Sequence, residues 1–173
     1  MSNSYNKNLI ENIYTNIVKT SRNKCFFLEY EVEDTVEGRF DVIILHSFII
    51  FHFFVEMGEK KSDLAQGLFD HMFLDFDNNL REMGFGDIAV NKRMKHFIRA
   101  FYGRISNYSM GIEDYNNNDN KLIRESIFNN VYKGKIKNDK YIDFWEKYLI
   151  DNINFFKDNT LKVNTANLFQ FKK

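Results

Sequence analysis

The chain contains no proline. Nothing therefore breaks a helix from within by removing an amide donor, and valine-rich alternation is missing too, so helices are expected rather than sheets. There is one cysteine, Cys25. A single thiol excludes an intramolecular disulfide and a cysteine-based zinc site, and it suits a reducing cytoplasm. Net charge is absent as well: 24 Lys and Arg balance 24 Asp and Glu, and the pI is near 6.9. The whole-protein field then exerts no pull on nucleic acid or anionic membrane, and an electrostatic partner would have to meet a local patch. The opening residues, Met1 to Asn6, lack a basic segment followed by an apolar run, so no secretory signal is expected. Alanine is scarce while Asn, Ile, Lys and Phe abound, as in Asn116-Asn117-Asn118. Nucleotide bias in an AT-rich genome accounts for this, and the polar runs are too short for a prion-like tract.

What is present suffices for one folded unit. The 173 residues are 44% hydrophobic and 28% charged, enough for a single domain spanning 1–173 with a real core. Leu9, Ile13 and Ile17 recur at helical spacing and predict a first helix over 4–22. Phe26-Phe27-Leu28 reads as a connecting segment, and Asp34 to Gly38 as a loop. Residues 40–57 are the most apolar stretch. The clean run Val42–Val55 is interrupted by His46, Ser47 and His52, which reads as a buried central helix rather than a membrane span. A third helix is expected over 62–83, capped by Ser62 or Asp63, with Asp63, Asp70 and Asp77 opposite its apolar face. Gly84-Phe85-Gly86 breaks it, and Asp87 is expected to cap the next helix. That helix, 88–112, carries an apolar stripe from Val90 through Phe97 and Phe101 to Tyr108. No acid occurs between Asp87 and Glu113, so Lys92, Arg93, Lys95, Arg99 and Arg104 concentrate positive charge on it. Two more helices, near 122–132 and 141–156, precede an extended tail holding Leu168, Phe169 and Phe171. The fold class is thus all-α, about six helices around a very apolar central one.

Most chemical hints fail on context. Gly84-Phe85-Gly86-Asp87-Ile88-Ala89 matches a dinucleotide-binding turn, but it follows a helix, and Asp87 would repel the phosphate. Asp114, Asn116, Asn118, Asn120 and Glu125 sit at EF-hand ligand positions, but Asp119 stands where the loop needs Gly. The four histidines show no ligand spacing, and His46 and His52 read as hydrogen-bonded core residues, with haem handling as the alternative. Cys25 reads as a buried inert thiol. No catalytic constellation assembles, so no enzyme activity, cofactor, metal or small-molecule substrate is expected. The basic helix survives. Lys92, Lys95, His96 and Arg99 lie opposite the apolar stripe and suit an acidic partner, either a protein segment, RNA phosphate or lipid headgroup. A solvated face, or one paired with the Asp63/Asp70/Asp77 stripe, is the plainer alternative.

The segment Leu80 to Lys95, with Arg81, Glu82, Gly84, Gly86, Asp87 and Arg93, followed by Tyr102, Gly103 and Arg104, closely resembles the signature of the ubiquinol–cytochrome c chaperone family. Asp34-Thr35-Val36-Glu37-Gly38-Arg39-Phe40-Asp41, with Leu45-His46 following, looks like that family's second block, and Asn130-Val131-Tyr132 is similar to a third. The resemblance spans about residues 25–135, leaving a C-terminal helix and tail over 136–173. It implies an all-α chaperone for assembling respiratory complex III. Mitochondrial members work with a small partner protein, bind newly made cytochrome b and associate with the ribosome. Here it implies a compact bacterial-type member, cytoplasmic or peripheral on the inner face of the membrane. It also implies that Arg39, Asp41, Arg81, Glu82, Asp87 and Arg104 pair at buried helix edges. Lys92, Lys95 and Arg99, pointing outward, are then the candidates for meeting cytochrome b. The competing reading is an RNA- or ribosome-binding module built on helix 88–112.

Overall fold

A computed structural model describes residues 2–58, 62–159 and 170–172. Seven helices occur among them, and no strand: α1 (Ser2–Ser21), α2 (Lys24–Leu28), α3 (Val36–Glu56), α4 (Ser62–Glu82), α5 (Asp87–Asn116), α6 (Lys121–Val131) and α7 (Lys140–Asp158). The all-α expectation holds, and the segment expected as a mere connector, Phe26 to Leu28, is a short helix begun by the Asn23 side chain, which accepts from the Cys25 amide.

Helix α3 is the axis. It begins at Val36, four residues before the expected start, because Thr35 is its N-cap and accepts from the Gly38 amide at 3.1 Å. A Cβ at position 38 would lie 2.0 Å from the Glu33 carbonyl oxygen, so only glycine lets the chain turn into the helix here. Its full 21 residues do reach the length and apolarity of a membrane-crossing helix, which corrects the expectation that this stretch is too short. Placement settles its setting in this fold: 72% of its most apolar window is buried, under α1, α4, α5, α6 and α7. Val42, Ile44, Leu45, Phe48, Ile49 and Ile50 are fully covered. Burial on most sides explains why the middle of the helix shows no narrow apolar stripe.

The other helices each cover α3 with one face. Ile13 and Ile17 of α1 bury fully, as periodicity predicts. Leu64, Leu68, Met72, Phe76 and Leu80 form the buried face of α4. The helix starts at Ser62, with Asp63 in its first turn, where a carboxylate favours the helix dipole; the expected capping by Ser62 or Asp63 falls outside the described residues. The α4–α5 turn uses Gly84 at φ +87, while Phe85 donates its amide to the Leu80 carbonyl at 3.2 Å. Gly86, not Asp87, is the N-cap of α5, and its φ of −71 needs no glycine. Helix α5 runs on to Asn116, so the expected polar loop from Asp114 shortens to a few residues. Its C-terminal half packs closely on α6: a Cβ at Gly111 would meet the Ile123 backbone at 3.0 Å.

Candidate protein-binding surface

The motif residues were expected to pair at buried helix edges. One pair does. Asp41 of α3 is fully buried, and Arg104 Nη2 of α5 lies 2.6 Å from its Oδ1. Lys133, just beyond α6, contacts the other carboxylate oxygen. Arg104 also lies 5.5 Å from the centre of the Phe40 ring. Burial pushes both cations down from their ordinary values, Arg104 and Lys133 alike, beside a carboxylate with no access to water. One buried charge thereby ties three elements together, and removal of either side leaves the other unbalanced. Lys133 carries no sequence signal for this role. Its φ of +54 places it in the turn after α6, where only the fold brings it to Asp41.

The remaining motif charges lie at the surface, contrary to expectation. Arg81 bridges Asp77 and Asp87, the latter 81% exposed. Arg39 pairs with Asp34 of the same block at 2.5 Å, and both side chains are exposed. Glu82 is exposed and has no ion pair among the described residues. Arg93 donates to Glu37 at 2.9 Å and stacks 4.5 Å from the centre of the Phe85 ring, clamping the α4–α5 turn onto the start of α3. Such exposed pairs add little stability, and their value lies in orienting the helix ends.

His46 is a core histidine, as expected. Nδ1 lies 2.8 Å from the Val42 carbonyl and Nε2 2.9 Å from the Tyr148 hydroxyl. A carbonyl can only accept, so Nδ1 carries the proton and Nε2 accepts from Tyr148. Both ring nitrogens are thus committed, which removes His46 as a haem ligand. Burial pushes its pKa down to about 4, keeping the ring neutral. His52 lies 3.8 Å from Glu56 near the end of α3. Cys25 is half-buried rather than fully buried; burial and the nearby Glu29 push its thiol up, so it is no activated nucleophile. The EF-hand-like stretch does not form a loop: Asp114 and Asn116 finish α5, and Glu125 pairs with Lys121 within α6.

The basic face is where periodicity placed it. Lys92, Lys95 and Arg99 are exposed and make no ion pair among the described residues. The Asp63/Asp70/Asp77 stripe does not neutralise them, since Asp77 is held by Arg81 and Asp70 accepts from Gln66. One turn further along α5 the face becomes aromatic. Tyr102 is 59% exposed, its ring 5.7 Å from Phe69, and it borders an open apolar groove with Phe51, Val55 and Ile105. Gly103 beside it faces open space. From Lys92 to Tyr102 the surface runs about 15 Å, first cationic, then apolar. Such a face suits a polypeptide that presents acids next to apolar residues. Tyr102 was expected only as a motif residue; its exposure is what adds it to the surface.

The family model described as ubiquinol–cytochrome c chaperone matches residues 28–159. The chain belongs to the ubiquinol–cytochrome c chaperone family. The match runs past residue 135 and takes in α7, which supplies Trp145 and Tyr148 to the core around His46. Among solved structures, the crystal structure of the Cbp3 homolog from Brucella abortus matches this chaperone-family chain with a TM-score of 0.83 and 26% identity, covering 99% of this chain and 93% of that one. No curated protein matches the chain significantly.

Proposed function

We propose that this protein is a non-enzymatic assembly chaperone for respiratory complex III, and that its client is newly made cytochrome b. The observation that carries the assignment is the family match over residues 28–159, supported by the likeness to a Cbp3 homolog along nearly the whole chain. The client-holding surface is the outer face of α5. Lys92, Lys95 and Arg99 have no acidic partner of their own, so an acidic client loop would meet charges that pay no penalty for leaving another pair. Tyr102 and the groove beside it offer the apolar contact that a membrane protein needs before insertion. The helix able to span a membrane is already enclosed by its neighbours, which favours a chaperone that acts at the membrane face without entering it. A small partner protein and the ribosome remain part of the proposal through family likeness.

The test is a crosslinked affinity pull-down of the tagged chain from native membranes and lysate, read by mass spectrometry, beside a Lys92→Glu, Lys95→Glu, Arg99→Glu variant. Cytochrome b should be enriched with the parent chain and lost with the variant, while the melting curve of the variant stays close to the parent's. Equal recovery of cytochrome b by both would remove the basic face from the client site. Ribosomal RNA in place of cytochrome b, with an affinity that falls steeply with salt, would instead make α5 an RNA-binding helix.

A further inference from the structure

Residues 170–172 lie against the core outside any helix. Asn152 of α7 is fully buried and bonds both backbone polar groups of one residue there: its Oδ1 accepts from the Lys172 amide at 2.7 Å and its Nδ2 donates to the Lys172 carbonyl at 3.3 Å. Its own position is fixed by a 2.8 Å bond to the Tyr148 carbonyl. A buried carboxamide spent on backbone atoms recognises extended polypeptide whatever the side chain. The preceding residue supplies specificity. The Phe171 ring meets His46 edge-on at 4.9 Å and Phe156 at 5.6 Å, in a seat whose walls continue through Trp145 and Tyr148.

The tail fills this seat incompletely. A cleft of about 610 Å³ remains beside it, between α1, α2 and α7. Asn16 and Thr20 line its α1 wall without a hydrogen-bond partner among the described residues, and Cys25 lies on its α2 wall. Amide and hydroxyl groups without a partner among the described residues, set across from a backbone-reading Asn, suit a strand-binding groove.

We propose that this cleft is a receptor for an extended polypeptide segment bearing a phenylalanine, that residues 170–172 occupy it in the free chain, and that a partner-protein segment of the same chemistry displaces them. The site lies apart from the basic face of α5, so it is a second contact surface and does not depend on the identity of the client. Displacement is uphill only by the advantage of tethering, since the tail competes as an intramolecular ligand.

The test uses the full chain with Phe171→Ala and a labelled synthetic peptide of residues 167–173. Two readouts are available: anisotropy of the peptide, and the alkylation rate of Cys25, the chain's one thiol. The variant should bind the peptide about tenfold or more tightly than the parent chain, because its own tail no longer competes. Alkylation of Cys25 should be about fivefold faster in the variant and return toward the parent rate when peptide is added. A peptide with Ala in place of the second Phe, or with the following amide N-methylated, should do neither. The N-methyl peptide probes Asn152 without disturbing the fold, and Asn152→Leu in the variant background gives the same answer if that protein folds. Equal binding by parent and variant, equal binding of the altered peptides, or an unchanged Cys25 rate would each overturn the proposal.

Discussion

Replacing Asp41 by Asn removes one negative charge from a site where two cations converge and no water reaches. Loss of one partner from a buried ion pair costs about 3–5 kcal/mol, because the other charge stays behind uncompensated. The two cations are not equal here. Arg104 is 14% exposed and has nowhere to go, whereas Lys133 is 38% exposed and can swing toward solvent. The lower part of the range therefore applies, about 3 kcal/mol, equivalent to a fall in Tm of about 6–12 °C for a chain of this size. Urea unfolding followed by far-UV circular dichroism measures it. The decisive comparison is a double-mutant cycle with Arg104→Met. If the carboxylate acts mainly by balancing Arg104, the double variant will be more stable than the sum of the singles requires, by about 2 kcal/mol. An Asp41→Asn protein within about 0.5 kcal/mol of the parent, or a cycle showing simple additivity, would refute the idea that this ion cluster is what the motif preserves.

His46 gives a pH signature. Its folded pKa of about 4 lies below the ordinary 6.5, so the unfolded chain binds a proton that the folded chain refuses. Stability should therefore fall as pH drops from about 6.5 to about 4, by about 3 kcal/mol in all, and this contribution should stop changing below about 4. His46→Gln should flatten that part of the profile in denaturant titrations; an unaltered slope would place the proton uptake elsewhere. Gly111→Ala should lose about 1–3 kcal/mol despite alanine's better helix propensity, since its Cβ would press on the Ile123 backbone at 3.0 Å. A thermal melt equal to or above the parent's would show that α6 can shift without loss.

Periodicity made the helices legible wherever one face is apolar and the other polar. The Val90–Tyr108 stripe of α5 and the Leu64–Leu80 face of α4 are examples, and both bury as written. Ends were harder. The start of α3 was missed because its signal is a cap, Thr35 bonding Gly38, rather than a hydrophobic repeat. The reach of α5 was missed because three of the four residues of its last turn, Glu113 to Asn116, are polar, and only Tyr115 adds an apolar contact to the core. For the candidate surface, the cations Lys92, Lys95 and Arg99 were readable from the register of a single helix, since exposure there follows from what lies opposite. The partners of Asp41 were only half readable. Arg104 stood out as a cation at the edge of a stripe, while Lys133 reaches Asp41 from 92 residues away, a distance that no local pattern spans. Asn152 was invisible for the same reason, being one of many polar residues in an amphipathic helix, with a task set by residues 170–172.

The enclosure of α3 has a consequence during synthesis. When residues 36–56 leave the ribosome, helices α4 to α7 have not yet been made, and nothing but α1 and α2 can shield them. For that interval the nascent chain displays a segment long and apolar enough to cross a membrane. Asp41 then acts against misrouting, because a carboxylate near a spanning segment raises the cost of insertion by up to about 3 kcal/mol. The charge that later locks the folded helices together thus also makes the bare segment a costlier one to move into a bilayer.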